Sequence, residues 1–230
     1  MGNPNNANAA GPLFSGRREI NWAGGGAATT LSGTPFNGFQ AIRGALFSTP
    51  GTGFVQAPPS GLAATFSNAT YSTIFSTFSP QRLFTPIDSN ITDVTFFIPG
   101  TTTPATVSGF GAVFTDVDLT SSASLSFFDV NGALLFSDTV EPGLLPVGSL
   151  SFLGAFGTAG EQIFRVRVIS GTGPLGPNDI PATGVDMVAL DDFIYSVPGA
   201  LLAVPEPSTL ALLISAAQAL SAFSTRADVV

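Results

Sequence analysis

Apolar residues between Ile20 and Pro198 fall in short runs that Gly, Pro, Asn or Asp interrupt every few positions. No helical period of apolar positions is sustained over this range. Interrupted runs of this kind are typical of β-strands joined by turns. The 21 phenylalanines fit this interpretation, because aromatic side chains pack well on a pleated sheet. We therefore predict an all-β domain over residues 20–198, built as a two-sheet, jelly-roll-like β-sandwich.

The individual strands are clearest in the second half of the domain. Residues 164–168 alternate between apolar side chains and arginine, which predicts a strand with one buried face and arginines in solvent. Segments 124–129 and 133–139 flank Asn131-Gly132, a pair suited to the positive φ angles of a type I′ hairpin turn. Segment 1–19 is predicted to be irregular. Further strands are predicted at Asp93–Ile98, Ser108–Thr115, Ser149–Phe156, Val188–Tyr195, Phe39–Arg43, Gly53–Gln56 and Ala63–Phe66.

Three residue types that carry much protein chemistry are missing from the sequence. Without cysteine the chain forms neither disulfides nor thiolate metal sites, and without histidine it has no His-dependent catalytic triad or His-ligated zinc. Lysine is also absent. Seven arginines spread along a chain of net charge −8 form no basic stripe, so we expect no nucleic-acid partner.

Carboxylates are therefore the acid–base groups left for catalysis, and two pairs stand out, Asp116/Asp118 and Asp191/Asp192. A carboxylate glycosidase needs two such groups on either side of a sugar. Asp116 and Asp118 lie two residues apart and share a strand face, which suits a cleft. The alternative is that Asp116 ends a strand and Asp118 begins a turn. We favour the alternative and predict no catalytic residues and no enzymatic activity.

The end of the chain carries its most specific motif. Val204-Pro205-Glu206-Pro207 cannot continue a sheet or enter a helix interior, because each proline lacks an N–H and fixes its own φ. The apolar run from 210 to 223 follows at once and predicts a short hydrophobic helix. Its about 14 residues span about 21 Å, Gln218 interrupts them, and one arginine, Arg226, follows.

This tail resembles the PEP-CTERM sorting signal, in which a Pro-Glu-Pro motif precedes an apolar helix and a basic end. The resemblance covers segment 199–230 and implies an exported protein of a Gram-negative bacterium. It further implies a transient anchor in the inner membrane and cleavage near Val204, Pro205, Glu206 and Pro207 by the protease exosortase. No secretory signal peptide is visible in residues 1–16, so we expect the true start to lie upstream.

Segments of the main domain are also similar to PEP-CTERM ectodomains, and such domains resemble carbohydrate-binding jelly rolls. The segments are 16–22, 109–118 and 190–195. The resemblance implies a structural calcium that joins the first and last strands through Glu19 with Asp191 or Asp192. Because adjacent strand residues point to opposite faces, we expect at most one of this pair to face inward. The alternative is that both aspartates are solvated or paired with Arg17 or Arg18.

Trp22 and Tyr195 are candidates for carbohydrate binding, because sugar faces stack on such rings and their polar ends can hydrogen-bond. The alternative is that Trp22 belongs to the core. Taken together, the sequence favours a non-enzymatic cell-surface or extracellular-matrix protein that needs no cofactor. The alternative function is a calcium-stabilised module that binds exopolysaccharide.

Overall fold

In the computed structural model, residues 4–7, 9–145 and 148–201 are described, and they form fifteen β-strands. The first eight are β1 (Arg17–Ile20), β2 (Thr30–Gly33), β3 (Phe36–Phe39), β4 (Ala45–Ser48), β5 (Gly53–Ala57), β6 (Leu83–Ile87), β7 (Ile91–Phe96) and β8 (Ala105–Thr106). The others are β9 (Gly109–Thr115), β10 (Ser124–Phe128), β11 (Leu134–Thr139), β12 (Leu150–Phe156), β13 (Arg165–Ile169), β14 (Ala189–Ser196) and β15 (Gly199–Ala200). The helices in this part of the chain are α1 (Gln40–Arg43), α2 (Pro59–Thr65) and α3 (Tyr71–Ile74), with 3-10 turns at Ala23–Gly25 and Pro181–Thr183.

Two antiparallel sheets form a sandwich, which confirms the predicted fold class. The first sheet has the order β12-β9-β14-β6-β5-β2, and β1 adds to it by pairing with β14. The second has the order β11-β10-β13-β7-β4-β3. A small third sheet pairs β15 with β8.

The main core lies between the two sheets, where alternate residues of each strand point inward. Val94 and Val166 from the second sheet meet Phe84, Phe110 and similar residues of the first. A second apolar cluster lies on the other face of the first sheet, where Leu62 of α2 and Tyr71 of α3 cover β5 and β6. Strand β5 is therefore buried along its whole length.

The predicted hairpin is present, but its turn is of another kind. Strands β10 and β11 pair across residues 129–133, and only Gly132 of the predicted Asn131-Gly132 pair has a positive φ, 81°. The Gly132 amide donates to the carbonyl of Asp129, whose side chain accepts from the amides of Asn131 and Ala133. The turn is thus a three-residue loop with glycine in the left-handed position, not type I′.

Three local predictions are wrong for identifiable reasons. In segment 39–43, Phe39 ends β3 and the other four residues form α1, after which Gly44 has a φ of 76°. Segment 63–66 belongs to α2, where proline at the helix start fixes a favourable φ. The N-terminal segment predicted as irregular contains β1, so the sheet begins before residue 20.

The sorting motif at Val204–Pro207 and the predicted hydrophobic helix after it lie outside the described residues. In the part of the chain that is described, every helix is too short or too polar to span a membrane.

Candidate functional site

A bulge in β14 brings two adjacent aspartates to the same side of the strand. Leu190 pairs with Phe114 of β9 and Phe193 pairs with Ala112, so Asp191 and Asp192 together oppose one residue of β9. Leu190 and Phe193 both point into the main core. A regular strand would have one outward-pointing residue between Leu190 and Phe193. The bulge places two there, so the carboxylates of Asp191 and Asp192 lie on the same side. The expectation that Asp191 and Asp192 point to opposite faces is wrong for this reason.

At the bulge, the strand that pairs with β14 on one side changes from β6 to β1. Leu190 pairs with Phe84 of β6, whereas Phe193 pairs with Ile20 of β1. Ile20 points into the core, so Glu19 beside it points outward, to the side of Asp191 and Asp192. We call Glu19, Asp191 and Asp192 the Asp192 cluster. The three residues of this cluster lie on β1 and β14, which pair with each other.

The loop before β6 covers the two aspartates. Oδ2 of Asp191 accepts hydrogen bonds from the amides of Phe78 (2.6 Å) and Ser79 (3.3 Å), and Oγ of Ser79 donates to Oδ2 of Asp192 at 2.8 Å. Both aspartates are 0% exposed. They are therefore not solvated.

Burial and mutual repulsion raise pKa values in the Asp192 cluster. Burial, a side-chain hydrogen bond with Asp192 and the charge of Asp192 raise the pKa of Asp191 to about 8, against the two amide hydrogen bonds. Burial and the charge of Asp192 also raise the pKa of Glu19, which Arg17 and Asn5 partly offset. Without a cation, these carboxyls must share protons.

Arg18, one proposed partner, binds elsewhere. Its guanidinium donates to the carbonyls of Ala9 and Gly11. Oδ1 of Asp191 and Oδ1 of Asp192 are buried and accept no hydrogen bond from an N–H or hydroxyl group of the described residues. Such oxygens are costly to bury and are what a hard cation such as Ca²⁺ takes as ligands. The side chains do not form a finished cage, since no group of three or more acidic, histidine or cysteine residues in the described ranges is arranged to hold a metal.

The other predicted carboxylate pair, Asp116 and Asp118, lies at the end of β9, in the loop that follows it. Asp116 is 2% exposed and has a φ of 67°. Its pKa is raised to about 8 by burial first and then by the charges of Asp118, Asp179 and Asp186. The prediction that Asp116 ends a strand is correct, but its burial among other acids is not visible in the sequence.

Trp22 belongs to the core, and the prediction that it binds carbohydrate is wrong. Its ring is 1% exposed and stacks on Phe84 with a centroid distance of 3.9 Å and an interplanar angle of 4°. The indole Nε1 donates to the carbonyl of Asp191 at 2.8 Å, and Nε of Arg82 donates to the Trp22 carbonyl at 2.8 Å. No face of the ring is left for a sugar.

Tyr195 is likewise 0% exposed and contacts Phe96 at a centroid distance of 5.3 Å. Its hydroxyl donates to the carbonyl of Arg43. The sugar-binding prediction for Tyr195 is therefore also wrong. The tyrosine hydroxyl links the end of β14 to the last residue of α1.

An open aromatic cleft lies where the edge strands of the two sheets, β11 and β12, approach each other. Its volume is about 400 Å³. Phe136 and Phe156 line it and are 46% and 64% exposed, and Glu161 and Thr158 supply polar groups. Sequence reasoning missed this cleft. The signal that existed was the number of large apolar residues in the two edge strands, namely Leu134, Leu135 and Phe136 in β11 and Phe152 and Phe156 in β12, which is unusual for a solvent-facing edge.

Comparisons with known proteins give distant structural likenesses and no sequence relative. No protein-family model matches the sequence, and no curated protein matches it either. Among solved structures, a histidine mutant of the lectin binding domain of Lectinolysin complexed with Lewis b aligns over 76% of this chain and 95% of its own. The identity is 10% and the TM-score is 0.28, so this likeness carries no argument about function.

Proposed function

We propose that this chain is a non-enzymatic cell-surface or extracellular-matrix protein whose sandwich is stabilised by calcium at the Asp192 cluster. The observation that carries the proposal is the bulge in β14. It holds two buried aspartates beside Glu19 and leaves an oxygen of each without an N–H or hydroxyl donor among the described residues. A Ca²⁺ ion would replace the shared protons and tie β1 to β14 once the side chains turn towards it.

The calcium proposal also supports the extracellular location. Calcium sites of extracellular modules have dissociation constants of about 10⁻⁴ to 10⁻³ M, which only calcium-rich surroundings fill. A fold that depends on such a site is best stabilised after export. The PEP-CTERM-like tail at Val204–Pro207 supplies the route in this proposal, with exosortase and the inner membrane as partners during sorting.

The absence of enzymatic activity is part of the proposal, and the placement of the unusual acids supports it. Asp116 and Asp191, whose pKa values are raised to about 8, are 2% and 0% exposed. The carboxylate in the aromatic cleft is Glu161, whose pKa is lowered by hydrogen bonds from backbone amides. An acid with a lowered pKa does not suit the general-acid role of a glycosidase pair, and no second carboxylate is among the described residues that line the cleft.

The calcium proposal is tested by thermal unfolding of residues 1–230 with and without calcium. We expect added Ca²⁺ to raise the melting temperature of the wild type and to leave Asp192→Asn unchanged or nearly so. Asp138→Asn is the matched control, because Asp138 is exposed on β11. A wild-type melting temperature that does not respond to millimolar Ca²⁺ would contradict the proposal.

The export proposal needs a separate experiment in the native host. Mass spectrometry of the mature protein should find a C-terminus near Pro205–Pro207. A variant with alanine at both prolines should keep its tail. Recovery of the intact wild-type chain through Val230 in the soluble fraction would contradict sorting by this signal.

A second candidate function is the binding of an exopolysaccharide, and the aromatic cleft favours it. Its volume of about 400 Å³ lies within the range of small-ligand sites, and the exposed rings of Phe136 and Phe156 offer faces to a sugar. Phe156→Ala should abolish signals on a glycan array. Leu31→Ala is the control, since Leu31 is 65% exposed on β2 at the opposite edge of the same sheet. Equal binding by wild type and Phe156→Ala would remove the cleft from this role.

A further inference from the structure

Two loops that carry four aspartates leave the first sheet side by side, where β9 ends and β14 begins. Asp116 and Asp118 follow β9, and Asp179 and Asp186 precede β14. Since Thr115 pairs with Ala189, the two loops leave the sheet side by side. We call these four residues the Asp186 cluster. It shares no residue with the Asp192 cluster.

Asp186 is the centre of this group. Its negative charge raises the pKa of each of the other three aspartates, so it lies near all of them. One of its oxygens, Oδ2, accepts hydrogen bonds from the amides of Asp118 (3.1 Å) and Leu119 (2.9 Å). These bonds fix the carboxylate between the two loops.

The other oxygen of Asp186 gives a second, independent indication of a ligand. Asp186 is 0% exposed, and its Oδ1 is buried with no hydrogen-bond partner among the described residues. A buried carboxylate oxygen without a donor is costly, because it loses its hydration and gains nothing in exchange. A cation bound by this oxygen would remove that cost.

Positive side chains do not provide the compensation. The charges that act on Asp116 are those of Asp118, Asp179 and Asp186, all of them negative. Arginines with described partners bind at other places: Arg18, Arg43 and Arg82 at main-chain carbonyls, and Arg165 and Arg167 at Asp93.

The backbone around the cluster is held in place before any ion binds. The amide of Asp116 donates to the carbonyl of Ser149 at 3.0 Å, and Oδ1 of Asp179 accepts from the amide of Met187 at 3.1 Å. The amide of Asp186 donates to Oγ1 of Thr172 at 3.0 Å. In the described ranges no group of three or more acidic residues is arranged to hold a metal, so these side chains must turn before they share an ion. Ca²⁺ tolerates the irregular geometry that results.

We propose that the Asp186 cluster binds a second divalent cation, of the calcium type, which joins the loop after β9 to the loop before β14. The ligand class follows from the donors, which are hard carboxylate oxygens, since the sequence contains no cysteine or histidine. Carboxylates that must turn towards the ion from two loops favour Ca²⁺ over Mg²⁺, because Mg²⁺ demands a near-ideal octahedron and keeps several waters.

Isothermal titration of the full chain with CaCl₂, after removal of metals on a chelating resin, tests this proposal. We expect two Ca²⁺ per wild-type chain. Asp186→Asn should lose one of them, or weaken it at least about tenfold, and keep the other. Asp192→Asn should lose the other one, which separates this site from the proposed function, and Asp138→Asn should bind as the wild type does.

A result in which Asp186→Asn keeps both ions overturns the second site, whatever happens at the first. A wild-type chain that binds no calcium overturns both sites. If Asp186→Asn does not fold, Mn²⁺ added to the ¹⁵N-labelled wild type decides. Broadening of the amide signals of Asp118, Leu119 and Met187 supports the site. Broadening confined to Phe78 and Ser79 contradicts it.

Discussion

Replacing Trp22 separates its structural role from a role in sugar binding. The indole is 1% exposed, stacks on Phe84 and makes edge contacts with Phe39, Phe47 and Phe193. Truncation of a buried aromatic side chain to alanine costs about 3–5 kcal/mol. The lost hydrogen bond to the Asp191 carbonyl adds about 1 kcal/mol.

Trp22→Ala should therefore remove about 4–6 kcal/mol from the free energy of unfolding, a large part of the about 5–15 kcal/mol of a typical domain. Trp22→Phe keeps most of the packing but leaves the buried Asp191 carbonyl without its donor, at a cost of about 1–3 kcal/mol. The order of stability should be wild type, Trp22→Phe and Trp22→Ala.

The measurement is urea unfolding followed by far-ultraviolet circular dichroism, because the variants lack the chain's one tryptophan. Phe14→Ala serves as the control, since Phe14 is fully exposed and its loss should change stability by less than about 0.5 kcal/mol. A Trp22→Ala protein as stable as the wild type would refute the assignment of Trp22 to the core.

Three further predictions concern charge and backbone. In metal-free buffer the free energy of unfolding should fall by about 2 kcal/mol or more between pH 5 and pH 8, measured by urea titration at each pH, because Asp116 and Asp191 have pKa values near 8 when folded and near 4 when unfolded. The protonated forms thus favour the folded state at low pH, and a stability that rises over this range would contradict the burial of these acids. Asp93→Asn loses ion pairs to two arginines at 2.8 Å, so it should lower the free energy of unfolding by about 1 kcal/mol, and by less in high salt. A loss that does not change with salt would show that the ion pairs are not its source. Gly44→Ala should lower the melting temperature and reduce the free energy of unfolding by about 1–3 kcal/mol, because φ is 76° and a Cβ there would clash with the carbonyl oxygen of Phe97. Equal melting temperatures would refute that strain.

The sequence predicted the sandwich because strand patterns report burial directly. The strand over residues 165–169 and the segments that became β7, β9, β12 and β14 were recognisable from alternating or continuous apolar residues. The strand predicted over residues 63–66 is wrong because four residues do not distinguish a strand from a helix, and the proline at the start of α2 favours the helix. Segment 17–20 is not recognisable as a strand, because two arginines and a glutamate give no alternation of apolar and polar residues. It forms a strand because β14 pairs with it.

The candidate site was predictable in its residues but not in its geometry. Glu19, Asp191 and Asp192 were named from a resemblance, and the pairing of β1 with β14 does bring them together. The bulge that places both aspartates on one side is a property of the strand pairing, and no local residue pattern announced it. Asp179 and Asp186 lie in a loop without a motif, so their approach to Asp116 depends on the fold alone.

The bulge in β14 also decides which changes of length this strand can accept. A substitution at Asp191 or Asp192 removes a carboxylate and leaves the pairing of the strand as it is. A deletion of either aspartate removes the extra residue and leaves one outward-pointing residue between Leu190 and Phe193, so regular pairing with β9 is restored and every later side chain keeps its face. Phe193 and Tyr195 would stay in the core. Among related chains, the number of residues between Leu190 and Phe193 can therefore fall to one without disturbing the sheet, but only chains with two residues there can hold two acids side by side.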